Sequence, residues 1–342
     1  MPVHLDRDHD RPSPGQLTQP GQSLHIGLVN NMPETAFKAT QRQFVSLLDA
    51  ASGHIQIHLS LYTLPGFSKS DSGIHSGYSN IDALFDTRLD GLIVTGREPT
   101  TPDLRDEPYW ESFTQVLEWA QQNTSSTIWS CLAAHAAVLH MDGISRRKRS
   151  DKLSGVFEFV PAPDHWLTKG VPLRLQVPHS RWNGLAEADL AARGYEVLAR
   201  TGDTEVDTFI KQGSSLFLFF QGHPEYESDT LCREYRRDVE RYLRHQLNAY
   251  PSMPANYLDQ NTEDALNAVR KQALTSRSKD LLTDLTTALQ TKSIRNTWHS
   301  TATSMYRNWL EFISARKNVS EGDVHVATAY TMSRQGVAFD DL

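Results

Sequence analysis

Cysteine is nearly absent: Cys131 and Cys232 are the only two in 342 residues. That excludes a disulfide framework and any four-cysteine zinc site, and it fits a reducing compartment. Positive charge is not in excess either. Lys and Arg total 34 against 41 Asp and Glu, a formal net charge of −7, which argues against a nonspecific nucleic-acid binder. Long hydrophobic runs are missing: stretches such as 216–220 are a handful of residues, far below the ~20 needed to span a bilayer. No transmembrane helix and no membrane partner are expected. Neither G-x-G-x-x-G nor G-x-x-x-x-G-K occurs, so dinucleotide-binding and P-loop readings lack support. Residues 1–23 carry Asp, His, Arg, Pro, Gly and Gln but no apolar segment of a secretory signal. We read them as a disordered tail and a cytoplasmic address.

The length fits one large α/β domain with additions, or two domains. From Leu24 the text reads LHIGLV, a strand that ends at the turn signal Asn30-Asn31-Met32-Pro33. Residues 40–51 carry Phe44, Val45, Leu47 and Leu48 at helical spacing, and 54–61 then alternate Ile55, Ile57, Leu59 and Leu61 as a strand does. DGLIVT (90–95) is a strand closed by Gly96, followed by a helix from about Pro108, a residue suited to a first helical turn. TIWSC (127–131) is another strand with an Ala- and Leu-rich helix, 132–141, immediately behind it. The pattern loses clarity after Gly155 and returns with the strand 216–220 and a helix over 229–247. Alternating strands and helices, with continuously apolar strands, predict a doubly wound, mostly parallel sheet flanked by helices. Such sheets bind ligands at the carboxyl ends of their strands. Four segments follow: the tail 1–23, a main domain over 24–258, a helical insertion with a last helix over 259–315, and a polar tail over 316–342.

Cys131 stands where a strand gives way to a helix, an elbow that exposes its sulfur at the sheet's carboxyl edge. The free N–H groups at that helix start favour a thiolate and an oxyanion, with the Leu132 N–H as the donor. A buried structural cysteine is the alternative for this residue alone. His223 also follows an apolar strand directly, and Glu225 two residues on can fix its tautomer, which completes a nucleophile, base and orienter. His54 and His58 share a strand face too far apart for an easy common ligand, and His135 and His140 are not at i, i+4, so no metal site is proposed. The basic run 146–149 has the form of a nuclear signal; a solvated loop is the favoured reading, and contact with coenzyme phosphates is a second. Cys232 reads as packing.

These residues resemble a known family. The sequence is similar to the homoserine O-succinyltransferases, MetA-type acyltransferases with a class I glutamine amidotransferase-like fold. The similarity runs through Asn31-Met32-Pro33, DGLIVTG (90–96), Tyr109-Trp110, Cys131, KLSGVFE (152–158), VPHSR (177–181), GHPEY (222–226), EYRRD (234–238), Asn256-Tyr257 and NWL (308–310), and covers about 24–313. The VPHSR and GHPEY segments separate it from glutaminases, which share only the Cys and His-Pro-Glu parts. The resemblance implies a flavodoxin-like acyltransferase domain over 24–258. It also implies that Cys131 takes the acyl group of an acyl-CoA, that His223 is the base and that Glu225 orients it. Lys152, Ser180 and Arg237 would hold the substrates, since Arg and Lys meet carboxylates well, and Glu234 would meet an amino group. The implied reaction is ping-pong acyl transfer to L-homoserine in methionine biosynthesis. Succinyl-CoA or acetyl-CoA is its co-substrate, no resident cofactor is needed, and a homodimer is expected.

The sequence departs from the family at informative places. The sixth residue of the segment beginning at Thr95, where the family has Glu or Gly, is Thr100, and Arg97-Glu98 replaces Ala-Pro. Thr100 carries no charge to repel a succinyl carboxylate and Arg97 attracts one, which favours succinyl over acetyl. Leu132 stands where the family has Trp. With the insertion, that leaves another hydroxy amino acid such as serine open as acceptor. A glutaminase-like amide hydrolase and an inactive binding homologue are the more distant readings.

Overall fold

A computed structural model describes residues 2–6, 23–65, 77–202, 205–290 and 294–320. The apolar runs form the strands β1 (Val3–Leu5), β2 (Ser23–Val29), β3 (Gln56–Thr63), β4 (Ser79–Asn80), β5 (Gly91–Thr95) and β6 (Ser126–Ser130). They continue as β7 (Arg147–Pro161), β8 (Leu175–Gly184), β9 (Glu196–Val197), β10 (Ala199–Arg200), β11 (Thr208–Gln212) and β12 (Leu216–Phe220). The helices are α1 (Glu34–Ala51), α2 (Trp110–Asn123), α3 (Leu132–Asp142), α4 (Glu187–Ala191), α5 (Thr230–Leu243), α6 (Gln260–Thr275), α7 (Leu281–Gln290) and α8 (His299–Ser320). The main sheet has the order β1-β3-β2-β5-β6-β12-β11-β9, with β4 beside β3. Its strands are parallel from β1 to β12, whereas β11 is antiparallel to both its neighbours. The expectation of a mostly parallel α/β sheet is borne out.

Every residue of β5, β6 and β12 is buried, because helices cover both faces and alternate side chains serve opposite cores. Ile93 and Ile128 pack with Phe44 and Leu48 of α1 and Trp309 and Leu310 of α8. Val94 and Trp129 pack with Phe113 of α2 and Ala133 and Ala137 of α3. Residues 260–275 and 281–290 fold as two amphipathic helices: Leu266 and Val269 of α6 and Leu285 and Leu289 of α7 join Val239 and Leu243 of α5 in a third core. Cys232 is buried there, as its packing role predicts. Among the described residues no helix is long and apolar enough to cross a membrane.

Several expectations are corrected. The tail is not wholly irregular: Val3 pairs with Ile57 and Leu5 with Leu59, so β1 closes the sheet edge, while 7–22 lie outside the described residues. Three residues carry no periodicity of their own; the neighbouring strand supplies the order. The basic run is not a loop, since Arg147 opens β7, the long strand of a hairpin with β8. An antiparallel strand with a solvated face tolerates such charges, and the register slips between Lys148 and Leu153. Pro108 precedes α2, which starts at Trp110. The last helix runs to Ser320, into the segment read as polar tail; 321–342 lie outside the described residues.

Candidate active site

Parallel pairing brings the ends of β6 and β12 side by side, Ser130 against Phe220. Cys131 follows at once and forms the N-cap of α3 with φ 53° and ψ −114°, a conformation that costs a residue with a Cβ about 1–3 kcal/mol. Its N–H donates to the Phe220 carbonyl at 2.7 Å, and its own carbonyl accepts from Ala134 and His135. The Leu132 N–H therefore precedes the first intrahelical bond, which suits it to an oxyanion. Gly96, at the end of β5, seats against this first turn: a Cβ there would lie 2.5 Å from Ala133 N and 2.6 Å from Leu132 Cβ. Only glycine permits that approach.

The strand end of β12 delivers the second group. Gln221 is clamped by accepting from Leu185 N and His135 Nε2 and donating to the Val206 carbonyl. His223 then donates its N–H to the Pro178 carbonyl at 2.9 Å. Its Nδ1 sits 2.9 Å from Glu225 Oε1, so Nε2 is the nitrogen left for its hydrogen bond with Cys131. Burial would lower the His223 pKa, but the charges and hydrogen bonds of Cys131 and Glu225 prevail and raise it well above its ordinary value. The Tyr226 ring stacks on the imidazole, centroids 4.1 Å apart.

The four residues expected to hold substrates fall into two groups. Ser180 hydrogen-bonds Glu234 Oε2, and the Tyr226 hydroxyl donates to Glu234 Oε1 at 2.7 Å. Lys152 Nζ lies 3.0 Å from Asp238 Oδ2, and Arg237 Nε donates to Asp238 Oδ1 at 2.9 Å. Burial would raise the Asp238 pKa, yet Lys152 and Arg237 hold it below the usual carboxylate value. Asp238 and Tyr226 lie within EYRRD and GHPEY, but nothing local in the sequence marks a role for either; Glu234, Arg237, Asp238 and Arg241 recur at i, i+3, i+4 and i+7 of α5, a signal for one shared face. Arg241 reaches Glu98 at 3.8 Å and thereby joins α5 to the loop after β5.

That loop carries Arg97 and Thr100. Arg97 lies over the Tyr109 ring, 4.6 Å from its centroid. Thr100 gives both its N–H (2.5 Å) and its hydroxyl (3.0 Å) to Glu107, a buried carboxylate that also takes the N–H and hydroxyl of Thr101. Sequence reasoning missed Glu107, because nothing local marks a carboxylate that folds back on its own loop.

These features define a doubly wound α/β protein with cysteine, histidine and glutamate hydrogen-bonded in sequence at the strand ends. The chain belongs to the homoserine O-succinyltransferase family, whose model matches residues 15–319. It is 47% identical over 290 residues to the homoserine O-succinyltransferase of Rhodopseudomonas palustris, covering 84% of this chain and 87% of that protein. The protein of the same name from Bradyrhizobium japonicum is 45% identical over 295 residues, 85% of this chain and 90% of its own. A glutamine amidotransferase structure from Methylobacillus flagellatus aligns with a TM-score of 0.46 at 13% identity, over 85% of this chain and 95% of that one.

Proposed function

We propose that this protein transfers the succinyl group of succinyl-CoA to the hydroxyl of L-homoserine, a step of methionine biosynthesis, acting in the cytoplasm as a homodimer. The observation that carries the reading is the Cys131, His223 and Glu225 relay at the carboxyl edge of the sheet in a chain of this family. Cys131 Sγ attacks the thioester carbonyl, and the negative oxygen that develops is met by the Leu132 N–H. Collapse breaks the carbon–sulfur bond to CoA, whose thiolate takes the proton of the His223 imidazolium. Acylation removes the thiolate charge that raised the His223 pKa, so the same imidazole turns from acid into base. It then accepts the hydroxyl proton of homoserine as the oxygen attacks the acyl carbon, and Cys131 leaves as thiolate.

Supporting residues follow from charge. Lys152 and Arg237, with Asp238 between them, present cations to an amino-acid or acyl carboxylate, and Glu234 offers an anion to the amino group. Arg97 and Thr100 stand for the preference for succinyl over acetyl. The test is release of free CoA thiol by the purified protein, with succinyl-CoA and acetyl-CoA each offered homoserine, serine or no acceptor. Homoserine-dependent release from succinyl-CoA is expected. Release that needs serine instead would move the acceptor and keep the chemistry, and release from neither would overturn the reading. Light scattering checks the dimer.

A further inference from the structure

Beyond the relay, a second histidine and carboxylate lie buried behind the His223 loop. β8 is extended, so alternate side chains of VPHSR leave on opposite faces. Ser180 goes to Glu234; His179 and Arg181 go the other way and are buried, His179 completely. Arg181 Nε donates to His179 Nδ1 at 3.2 Å, which fixes the ring proton on Nε2. That Nε2 sits 3.3 Å from Asp207 Oδ1. The same Oδ1 accepts the Gly222 N–H at 2.9 Å, and Oδ2 accepts the Thr208 hydroxyl at 2.6 Å. At the far end Arg181 Nη2 reaches Glu205 Oε2 at 2.6 Å, and Glu205 also pairs with Arg149. Hydrogen bonds thus join Glu205, Arg181 and His179, and the His179 ring faces Asp207, whose carboxylate holds the amide directly before His223.

The charges agree with this arrangement. Burial, with Arg181 adding to it, pushes the His179 pKa down to about 4 against the pull of Asp207, so the ring is neutral at physiological pH. Burial would raise the Asp207 pKa, but His179, Thr208 and the Gly222 amide hold it below the usual value. The space is closed as well: a Cβ on Gly222 would lie 2.5 Å from Val177 Cγ1, 2.7 Å from Asp207 Oδ1 and 3.0 Å from His179 Cε1.

We propose that Asp207, backed by His179, is a positioning residue for His223: its carboxylate pins the Gly222 amide while the Pro178 carbonyl pins that of His223, and together they hold the imidazole between Cys131 and Glu225. The proposal rests on Cys131 and His223 being the reactive pair. A displacement of about 1 Å at such a group costs roughly 10²-fold in rate. Asp207→Ala should therefore lower kcat for succinyl transfer roughly 10²-fold with little change in KM for succinyl-CoA. It should also move the alkaline limb of the kcat/KM profile toward neutral pH, as His223 loses its charged neighbours, and slow the alkylation of Cys131 by iodoacetamide. Asp207→Asn, which keeps an oxygen for the Gly222 N–H, should restore most of the loss. A folded Asp207→Ala protein with lowered thermal stability but unchanged kcat, pH profile and alkylation rate would overturn the proposal. Wild-type Cys131 that alkylates no faster than a peptide thiol would instead overturn the reactive pair. Should Asp207→Ala fail to fold, Gly222→Ala decides, because its methyl group would lie 2.7 Å from Asp207 Oδ1 and so drives the amide and the carboxylate apart. The same losses are expected, and an unchanged kcat contradicts the proposal.

Discussion

Cys131 and His223 are held by backbone before any side chain acts. The Cys131 N–H is tied to Phe220 and the His223 N–H to Pro178, so each side chain inherits the rigidity of the neighbouring strand. Cys131→Ala should abolish acyl transfer, and His223→Asn should cost several orders of magnitude. Glu225→Gln leaves the imidazole in place without its negative partner, and kcat should fall by roughly 10²- to 10⁴-fold; steady-state kinetics at saturating succinyl-CoA checks all three. Because the Cys131 charge is a cause of the raised His223 pKa, alkylating Cys131 should lower that pKa, read from the histidine ring nitrogens by NMR. An imidazole that titrates identically before and after alkylation would break the coupling. The three relay residues were legible in the sequence because each stands at or just beyond the end of an apolar strand. Asp207 and Asp238 were not: Gly222 is 15 residues from Asp207 and Lys152 is 86 from Asp238, separations that only the folded sheet closes.

At the scale of elements, the loop from Gly96 to Glu107 links the end of β5 to α3 and α5. It has little apolar content, and its shape rests on Glu107, whose carboxylate gathers two N–H groups and two hydroxyls. Burial would raise the Glu107 pKa, but those donors from Thr101 and Thr100 lower it. Its stabilising contribution is therefore present above the unfolded value of about 4.3 and is lost as pH falls through the lower folded value. Glu107→Ala removes the acceptor of the Thr100 and Thr101 amides, which are exposed and half-buried, so each lost bond costs about 0.5–1.5 kcal/mol. Amide hydrogen exchange over 97–106 should accelerate and KM for succinyl-CoA should rise, while kcat changes less. Protection equal to the wild type would show that the loop is held by something else. Strands such as GLIVT and LFLFF were readable because burial on both faces demands unbroken apolar text. The β7 and β8 hairpin was not, since RKRSDK alternates with nothing and takes its register from a bulge and a partner strand. β1 was too short to signal at all.

Across the whole molecule, stability is bounded on both sides of neutrality by histidines of opposite sign. Burial holds His135 and His179 down to about 3 and about 4, with Arg181 adding to both. Unfolded, each titrates near 6.5, so below that pH the unfolded chain binds protons the fold refuses. Stability should fall from about pH 6.5 toward 4, by up to about 1.4 kcal/mol per pH unit for each ring. His223 is raised, so its contribution is complete below the unfolded value and is lost as pH rises through the folded one. Denaturant unfolding across pH should show a maximum near neutrality, and His135→Gln should flatten the acid limb. An acid limb of unchanged slope would contradict the assignment.

The proposed transfer passes through a succinyl thioester on Cys131. Mass spectrometry of the protein mixed with succinyl-CoA and no acceptor tests it most directly, followed by proteolysis to locate the adduct and by addition of homoserine. One added succinyl group is expected on the peptide that contains Cys131, absent in Cys131→Ala and discharged by homoserine as O-succinylhomoserine forms. Product formed with no adduct on Cys131, or an adduct that homoserine leaves untouched, would contradict it.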